Sequence, residues 1–298
     1  MMNNKVILGT VQMGLPYGIS NPHGKILMAE SHKILDYAFM SGIRLLDTAE
    51  SYGNAHEVIG DYHALNPDKK FSVITKVSPG KIIKTVEKEV EKYLHDLKID
   101  ELECFMFHSY NSYRNNLDVI PRLKELKRNG IVNQIGVSIY TNDELKTLIL
   151  EDAIDSIQLP FNLLDNYSIR GKLLEQAKKK GKIIYARSAF LQGLFFKNYE
   201  EKSILVQALR SQLTEIDKLS RLEGVAIAQL ALAYCIQQSS IDQVLIGVDS
   251  ISQLKSNLTA ASYQISEKVI LLINQIRTQN TTLLNPSLWK ESDIGISN

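Results

Sequence analysis

Two hydrophobic patterns alternate along the chain. Short apolar runs, most of them apolar on both faces, are separated by stretches whose apolar residues recur three and four apart. The first pattern predicts parallel strands covered by helices on both sides, since a half-exposed strand would alternate apolar and polar residues. It places strands at residues 6–10, 42–47, 71–76, 101–108, 133–138, 155–159, 182–187 and 243–247. The second predicts amphipathic helices. Ile34, Leu35, Ala38 and Phe39 mark one face, and Gly42 is placed to end that helix. Ile82, Ile83, Val86, Val90, Tyr93, Leu94 and Leu97 mark another. Further helices are expected at residues 117–128, 141–150, 168–180, 203–222, 225–237 and 266–277.

Eight strands alternating with helices over roughly 250 residues predict an α/β fold, a (β/α)8 TIM barrel forming one domain over residues 1–298. A doubly wound open sheet is the alternative, but no G-x-G-x-x-G follows the first strand. The helices between strands seven and eight exceed what a barrel needs. From Asn280 onward the pattern is irregular and carries the only tryptophan, Trp289, either docked on the body or part of a substrate wall.

Composition narrows the function classes. With 34 Lys+Arg against 33 Asp+Glu the formal charge is +1, and no basic stripe is interleaved with aromatic residues, so nucleic acid is not an expected partner. The clusters Lys69-Lys70 and Lys178-Lys179-Lys180 fall at expected helix ends or turns and read as solvated charge that opposes helix dipoles. Cys104 and Cys235 lie inside apolar runs and are expected as reduced core residues. Residues 1–5 do not open a secretory signal, and no run approaches the eighteen or so apolar residues of a membrane span. The expectation is a soluble, cytoplasmic chain, monomeric by default.

Candidate chemistry sits where strands end, the face on which such barrels place their active sites. Asp47 ends the second strand, and Tyr52 and Gly53 follow it. An isolated strand-end Asp is commonly just a cap for the next helix. Here Lys76 ends the third strand and His108 the fourth, so a carboxylate, a phenol, an amine and an imidazole share one face. They suit protonation of a carbonyl oxygen while hydride reaches its carbon. A phenol with a reference pKa of about 10 is a weak acid near neutral pH. A lysine cation beside it is expected to lower that value, with Asp47 holding Lys76 and His108 orienting the substrate oxygen. No H-x-H or C-x-x-C metal pattern appears, so the hydride requires a cofactor.

LDTAESYG, the Lys76 and His108 strand ends and the opening LGTVQMG resemble the aldo-keto reductase superfamily. So do GVS at 136–138, QLPFNLLD at 158–165, RSAFLQGL at 187–194 and IGVDSISQLKSNL at 246–258, which together cover nearly the whole chain. The resemblance implies an NAD(P)H-dependent reductase of an aldehyde or ketone, with Asp47, Tyr52, Lys76 and His108 as its tetrad and Tyr52 as proton donor. It implies that Gly9, Thr10 and Gln12 lie near the nicotinamide, with Asp47 also in reach of its ribose. Ser138 and Gln158 match carboxamide-binding residues. Ser188, Leu191, Gln192 and Gly193 match a loop covering the pyrophosphate, and Gly247, Ser250, Gln253 and Asn257 match the adenosine-binding segment.

Three departures from the family pattern stand out. Ile139 replaces an Asn beside Ser138, and an aliphatic side chain cannot grip a carboxamide. Arg187 stands where many members stack an aromatic ring on the nicotinamide; it suits either that face or an anionic group on the substrate. Asp249 stands where many members clamp the 2′-phosphate of NADP with Arg. The family pattern therefore makes NADPH the expected cofactor, with NADH the alternative that Asp249 favours unless Lys255 or Arg187 compensates. Residues 1–4 are too few for the N-terminal hairpin that closes the barrel bottom in many relatives, so that end is expected to be open or capped differently. The polar loop HSYNSYRNN at 108–116, with Arg114, and Arg187 suggest a sugar or another hydroxylated or anionic carbonyl. LGTVQMGLPYGI and RSAFLQGL resemble a bacterial branch associated with sugar or surface-glycan metabolism. The alternatives are a cofactor-bound regulatory or sensor subunit and a barrel isomerase or lyase using Lys76 and His108.

Overall fold

All eight predicted strands form, and they close. β1 (Val6–Gly9), β2 (Leu45–Asp47), β3 (Ser72–Val77), β4 (Leu102–Phe107), β5 (Val132–Ser138), β6 (Ser156–Pro160), β7 (Ile183–Arg187) and β8 (Gln243–Ile246) make one parallel barrel in sequence order. β8 returns to β1 with Val244 opposite Val6 and Ile246 opposite Leu8. The computed structural model describes residues 5–18, 21, 24–197 and 203–289. The expectations about residues 1–4, and about the tail beyond Trp289, lie outside the described residues.

The alternation of side chains along a strand splits the barrel wall into two faces. Outward residues such as Leu8, Leu46, Val73, Phe105, Val137, Ile157 and Ile184 join the large core shared with the surrounding helices. Inward residues Ile7, Leu45, Ile74, Cys104, Met106 and Tyr185 form a second, smaller cluster that fills the barrel. Gly136 makes room in it: a Cβ there would come within 2.8 Å of Met106 Cε and Cys104 Sγ. Both cysteines are free and buried, as expected.

Toward the N-terminal ends of the strands the interior is plugged by a polar chain. Tyr185 Oη donates to Gln134 Oε1 at 2.9 Å, and Gln134 Nε2 donates to Glu103 Oε1 at 2.6 Å. Lys5 Nζ donates to the carbonyls of Ile236, Gln238 and Ile241, satisfying the end of the helix Ile227–Ile236. Among the described residues, side chains of β4, β5 and β7 thus join at this end of the barrel.

The helices differ from expectation in several places, among them a short helix, Tyr110–Arg114, inside the stretch read as a polar loop. Ile82 and Ile83 precede their helix, which spans Val86–Leu97; Ile83 is buried but Ile82 is 60% exposed, outside any periodic face. The expected helix at 203–222 breaks at Leu209 into Ile204–Ala208 and Arg210–Glu223. The helix expected to reach residue 277 stops at Ile273. The helix Ala55–Leu65 was not legible as a periodic face, because it buries His56, Gly60 and His63 with its aliphatic residues. Gly60 is needed there: a Cβ would lie 2.0 Å from the carbonyl oxygen of Asp96. No single described helix is long and apolar enough to cross a membrane. Trp289 packs against the core and its indole N–H donates to the carbonyl of Leu283 at 3.0 Å, so it docks on the body.

Candidate active site

Moving two residues along seven of the strands from the plug reaches the barrel mouth. Ile7 leads to Gly9, Leu45 to Asp47, Ile74 to Lys76, Met106 to His108, Gly136 to Ser138, Tyr185 to Arg187 and Leu245 to Gly247. All these mouth residues line one cavity of about 490 Å³. The period of two that fills the core thus also aims the polar side chains.

Asp47 is the hub. It is 1% exposed, and Lys76, 2% exposed, donates from Nζ to Asp47 Oδ1 and, at 3.2 Å, to the carbonyl of Thr48. Asp47 Oδ2 accepts from Gln158 Nε2 at 2.7 Å. Thr10 Oγ1 and the Thr10 N–H both donate to the Asp47 carbonyl at 3.0 Å. A charge this deep is stable only when paired and hydrogen-bonded, and Asp47 has both. Burial pulls the Lys76 ammonium below its ordinary pKa, with Asp47 opposing.

Tyr52 and His108 stand edge to face, 5.9 Å between ring centroids, and Lys76 Nζ lies 5.3 Å from the Tyr52 centroid. The Tyr52 loop is pressed against the loop after β1: a Cβ at Gly14 would fall 1.7 Å from the Tyr52 carbonyl oxygen, and Gly53 has φ +55°. The expected lowering of the Tyr52 pKa by Lys76 does not occur. Burial, and then the Asp47 carboxylate, push the phenol well above its ordinary value, and Arg187 pulls in the other direction. The Lys76 charge is already taken up by Asp47. Burial, with Lys76 and Arg187, brings His108 down to about 3, so its imidazole is neutral. His108 Nδ1 is buried without a protein partner.

Arg187 has no acidic partner among the described residues. Its guanidinium lies 4.1 Å over the Tyr140 ring, donates to the Ile139 carbonyl at 3.0 Å, and approaches Ser188 Oγ at 3.4 Å. Ile139 itself turns its side chain into the outer core. The first two departures from the family pattern are therefore coupled: the residue that lost its amide supplies the carbonyl that holds Arg187.

The remaining expected residues surround the same cavity, with two exceptions. Gly9, Thr10, Gln12, Ser138, Gln158, Ser188, Gln192, Gly193, Gly247, Gln253 and Asn257 line it, as does Asp249. Leu191 is fully buried and anchors the loop after β7 to the core. Ser250 does not line the cavity and caps the helix Ile251–Ala261, accepting from the Gln253 N–H at 3.3 Å. Lys255 lies 5.1 Å over the Tyr37 ring and does not line the cavity. The loop after β7 places Ser188, Leu191 and Gln192 at φ between 46° and 60°, a left-handed conformation that costs such residues on the order of 1 kcal/mol each. Asn162 Nδ2, donating to the Ser188 carbonyl at 3.2 Å, helps hold it.

Tyr17, Tyr140 and Phe196 also line the cavity, although nothing in their spacing marked them. Tyr17 Oη accepts from Gln192 Nε2 at 2.9 Å and joins the loops after β1 and β7. Its signal was its place in LGTVQMGLPYGI, beyond the strand whose end was already suspected. The residues fit a nicotinamide dinucleotide. Gln12 Oε1 and His108 Nδ1 are buried without a protein partner, and Gly247 leaves space that a Cβ, 2.5 Å from Gln12 Nε2, would fill.

Comparison with known proteins points to the same barrel fold and to a family. The chain is 23% identical over 277 residues to an NADH-specific methylglyoxal reductase of Escherichia coli (strain K12), covering 80% of this chain and 85% of that one. It is 27% identical over 244 residues to an L-galactose dehydrogenase of Arabidopsis thaliana, covering 76% of each. In structure it resembles an aldo-keto reductase of Bacillus halodurans in its holo form, with a TM-score of 0.73 and 20% identity over 93% of this chain and 94% of the other. The Aldo/keto reductase family profile matches residues 5–278. The chain belongs to the aldo/keto reductase family, oxidoreductases that use NAD(P)H.

Proposed function

We propose that this chain reduces an aldehyde or ketone bearing an anionic or hydroxylated group, with Tyr52 as proton donor and NADH as preferred cofactor. The observation that carries the reading is the tetrad at one mouth: a half-buried phenol between a neutral imidazole and a buried Lys76–Asp47 pair. When bound, the nicotinamide supplies the hydride. Gly9, Thr10, Gln12, Ser138 and Gln158 would hold its nicotinamide end, and Gly247, Asp249, Gln253 and Asn257 its adenosine end. Gln158 already donates to Asp47, so a carboxamide would meet its remaining capacity.

On this reading His108 holds the substrate oxygen by hydrogen bonding as a neutral group. Tyr52 keeps its proton until negative charge grows on that oxygen. Both groups then hold their working protonation state across the neutral range. For carbonyl reduction, kcat is expected to be flat from roughly pH 6 to 9, because His108 titrates at about 3 and Tyr52 far above its ordinary value. A pH–rate profile checks this; an alkaline limb centred below roughly pH 9 would contradict the raised phenol.

Support for NADH comes from the adenosine end. Asp249 lines it, Lys255 is turned to Tyr37, and the lining cations among the described residues are Lys76 and Arg187, both at the mouth of the strands. Support for an anionic substrate is Arg187, a cation whose stacking and carbonyl contact leave guanidinium donors free toward the cavity. The test is a carbonyl panel run with both cofactors, containing glyceraldehyde 3-phosphate with glyceraldehyde, and succinic semialdehyde with its methyl ester. Expected are a kcat/KM at least about tenfold higher with NADH than NADPH, and about tenfold or more for each anion over its neutral partner. Equal rates within each pair would remove Arg187 from substrate recognition. No turnover on any member, with cofactor still bound, would favour a regulatory subunit.

A further inference from the structure

Two residues before Tyr52 lies a carboxylate that the cavity does not use. Glu50 is outside the cavity lining, with its side chain 15% exposed, yet it holds polar contacts on three elements. Its backbone N–H donates to the carbonyl of Lys76 at 2.9 Å. Its carboxylate accepts from the Ser78 N–H at 3.1 Å, from Lys81 Nζ at 2.7 Å and from Tyr93 Oη at 3.1 Å, with Lys92 Nζ at 3.6 Å. One residue thus grips the chain at Lys76 and again two residues beyond it, and is itself two residues from Tyr52.

The neighbouring contacts extend the same grip. His56 Nε2 and Thr75 Oγ1 are 2.8 Å apart, and the His56 ring stands edge to face on Tyr93, 5.4 Å between centroids. The segment bearing Tyr52 is therefore fixed to β3 before and after the phenol. We propose that Glu50 is a positioning residue that holds the Tyr52 loop and the Lys76 strand end as one rigid unit, setting the phenol's place over the reacting oxygen. This role rests on Tyr52 being the proton donor.

The energetics suit positioning rather than bulk stability. Glu50 is partly accessible and Lys81 keeps a second carboxylate, Glu89, at 2.6 Å, so removing the Glu50 charge strands no cation. Glu50→Gln removes the charge and one of the two acceptor oxygens, so the Ser78 N–H, the Tyr93 hydroxyl and Lys81 must compete for the single oxygen that remains. Hydrogen bonding from Lys81 and Ser78 outweighs burial and holds the carboxyl down to about 2, so the clip is charged at every working pH. A misplacement of about 1 Å in a reacting group can cost on the order of a hundredfold in rate.

The test compares Glu50→Gln and Glu50→Asp with the unmodified chain, by amide hydrogen exchange and by steady-state kinetics on the panel member reduced fastest. Expected for Glu50→Gln are at least tenfold faster exchange confined to residues 48–55 and a kcat about ten- to a hundredfold lower. KM and the cofactor dissociation constant should stay within about twofold, and Glu50→Asp should be intermediate in both kcat and exchange. The inference is overturned if kcat is retained, if exchange at 48–55 is unchanged, or if cofactor affinity falls in parallel with kcat. If the unmodified chain reduces no carbonyl, the reductase reading fails first and this role of Glu50 falls with it. Failure in the variants alone sinks only the Glu50 inference.

Discussion

Replacing Tyr52 by Phe is expected to lower kcat for carbonyl reduction by roughly 10²–10⁴-fold, the usual worth of a positioned general acid. The cofactor dissociation constant should change by less than about twofold. The variant removes one oxygen from a half-buried ring that stands edge to face against His108, while the Tyr52 backbone stays pressed against Gly14, so the ring's packing survives. The Tyr52 hydroxyl is also well protonated, since burial and Asp47 both disfavour the phenolate; Phe therefore substitutes for a neutral group. Fluorescence titration with NADH and steady-state kinetics separate the two effects. A Tyr52→Phe variant that retains more than about a tenth of the original kcat would show that another group delivers the proton.

A second large effect is expected at Lys76. Lys76→Met leaves the Asp47 carboxylate with Gln158 and no counter-charge at a 1%-exposed position. Breaking a buried pair from one side costs about 3–5 kcal/mol, which for a chain of this size is a fall in Tm of roughly 5–8 °C. Adding Asp47→Leu to Lys76→Met removes the stranded charge and should recover much of the lost Tm, because an apolar replacement of a whole buried pair is often neutral. Activity should not recover, since the double variant still lacks the ion pair beneath Tyr52. Calorimetry on the single and double variants checks this. A double variant less stable than Lys76→Met would mean that the pair holds the mouth together through more than its charge.

Much of this site was legible because barrel strands signal twice, by being apolar and by ending abruptly in a polar residue. Asp47, Lys76 and His108 were each found as the polar end of an apolar run, and all three line the cavity. The order of the strands followed from the same pattern. Legibility failed where burial is not apolar. The helix Ala55–Leu65 hides two histidines and a glycine on its inner side, so no periodic stripe announced it. Ile82 and Ile83 look like the start of a stripe but lie before the first helical residue. Tyr140 and Tyr17 reach the cavity from loops, whose course local spacing does not encode. The sign of the Tyr52 shift was also out of reach. It depends first on how deeply the folded chain buries the phenol and then on how near the Asp47 carboxylate lies, neither of which local spacing encodes.

One consequence follows from the step of two between plug and mouth. A strand that paired one residue out of register would exchange its faces, turning Thr75 inward and Lys76 toward the hydrophobic shell, or putting Leu46 where Asp47 belongs. Such a chain would lose its chemistry and its core in the same move. Folding errors of this kind cannot yield a stable impostor, an inactive but intact barrel that binds cofactor and competes for it. In this protein the amplitude of a preparation's cooperative unfolding transition, per mole of chain, should therefore track its active fraction, and the two should rise and fall together from batch to batch.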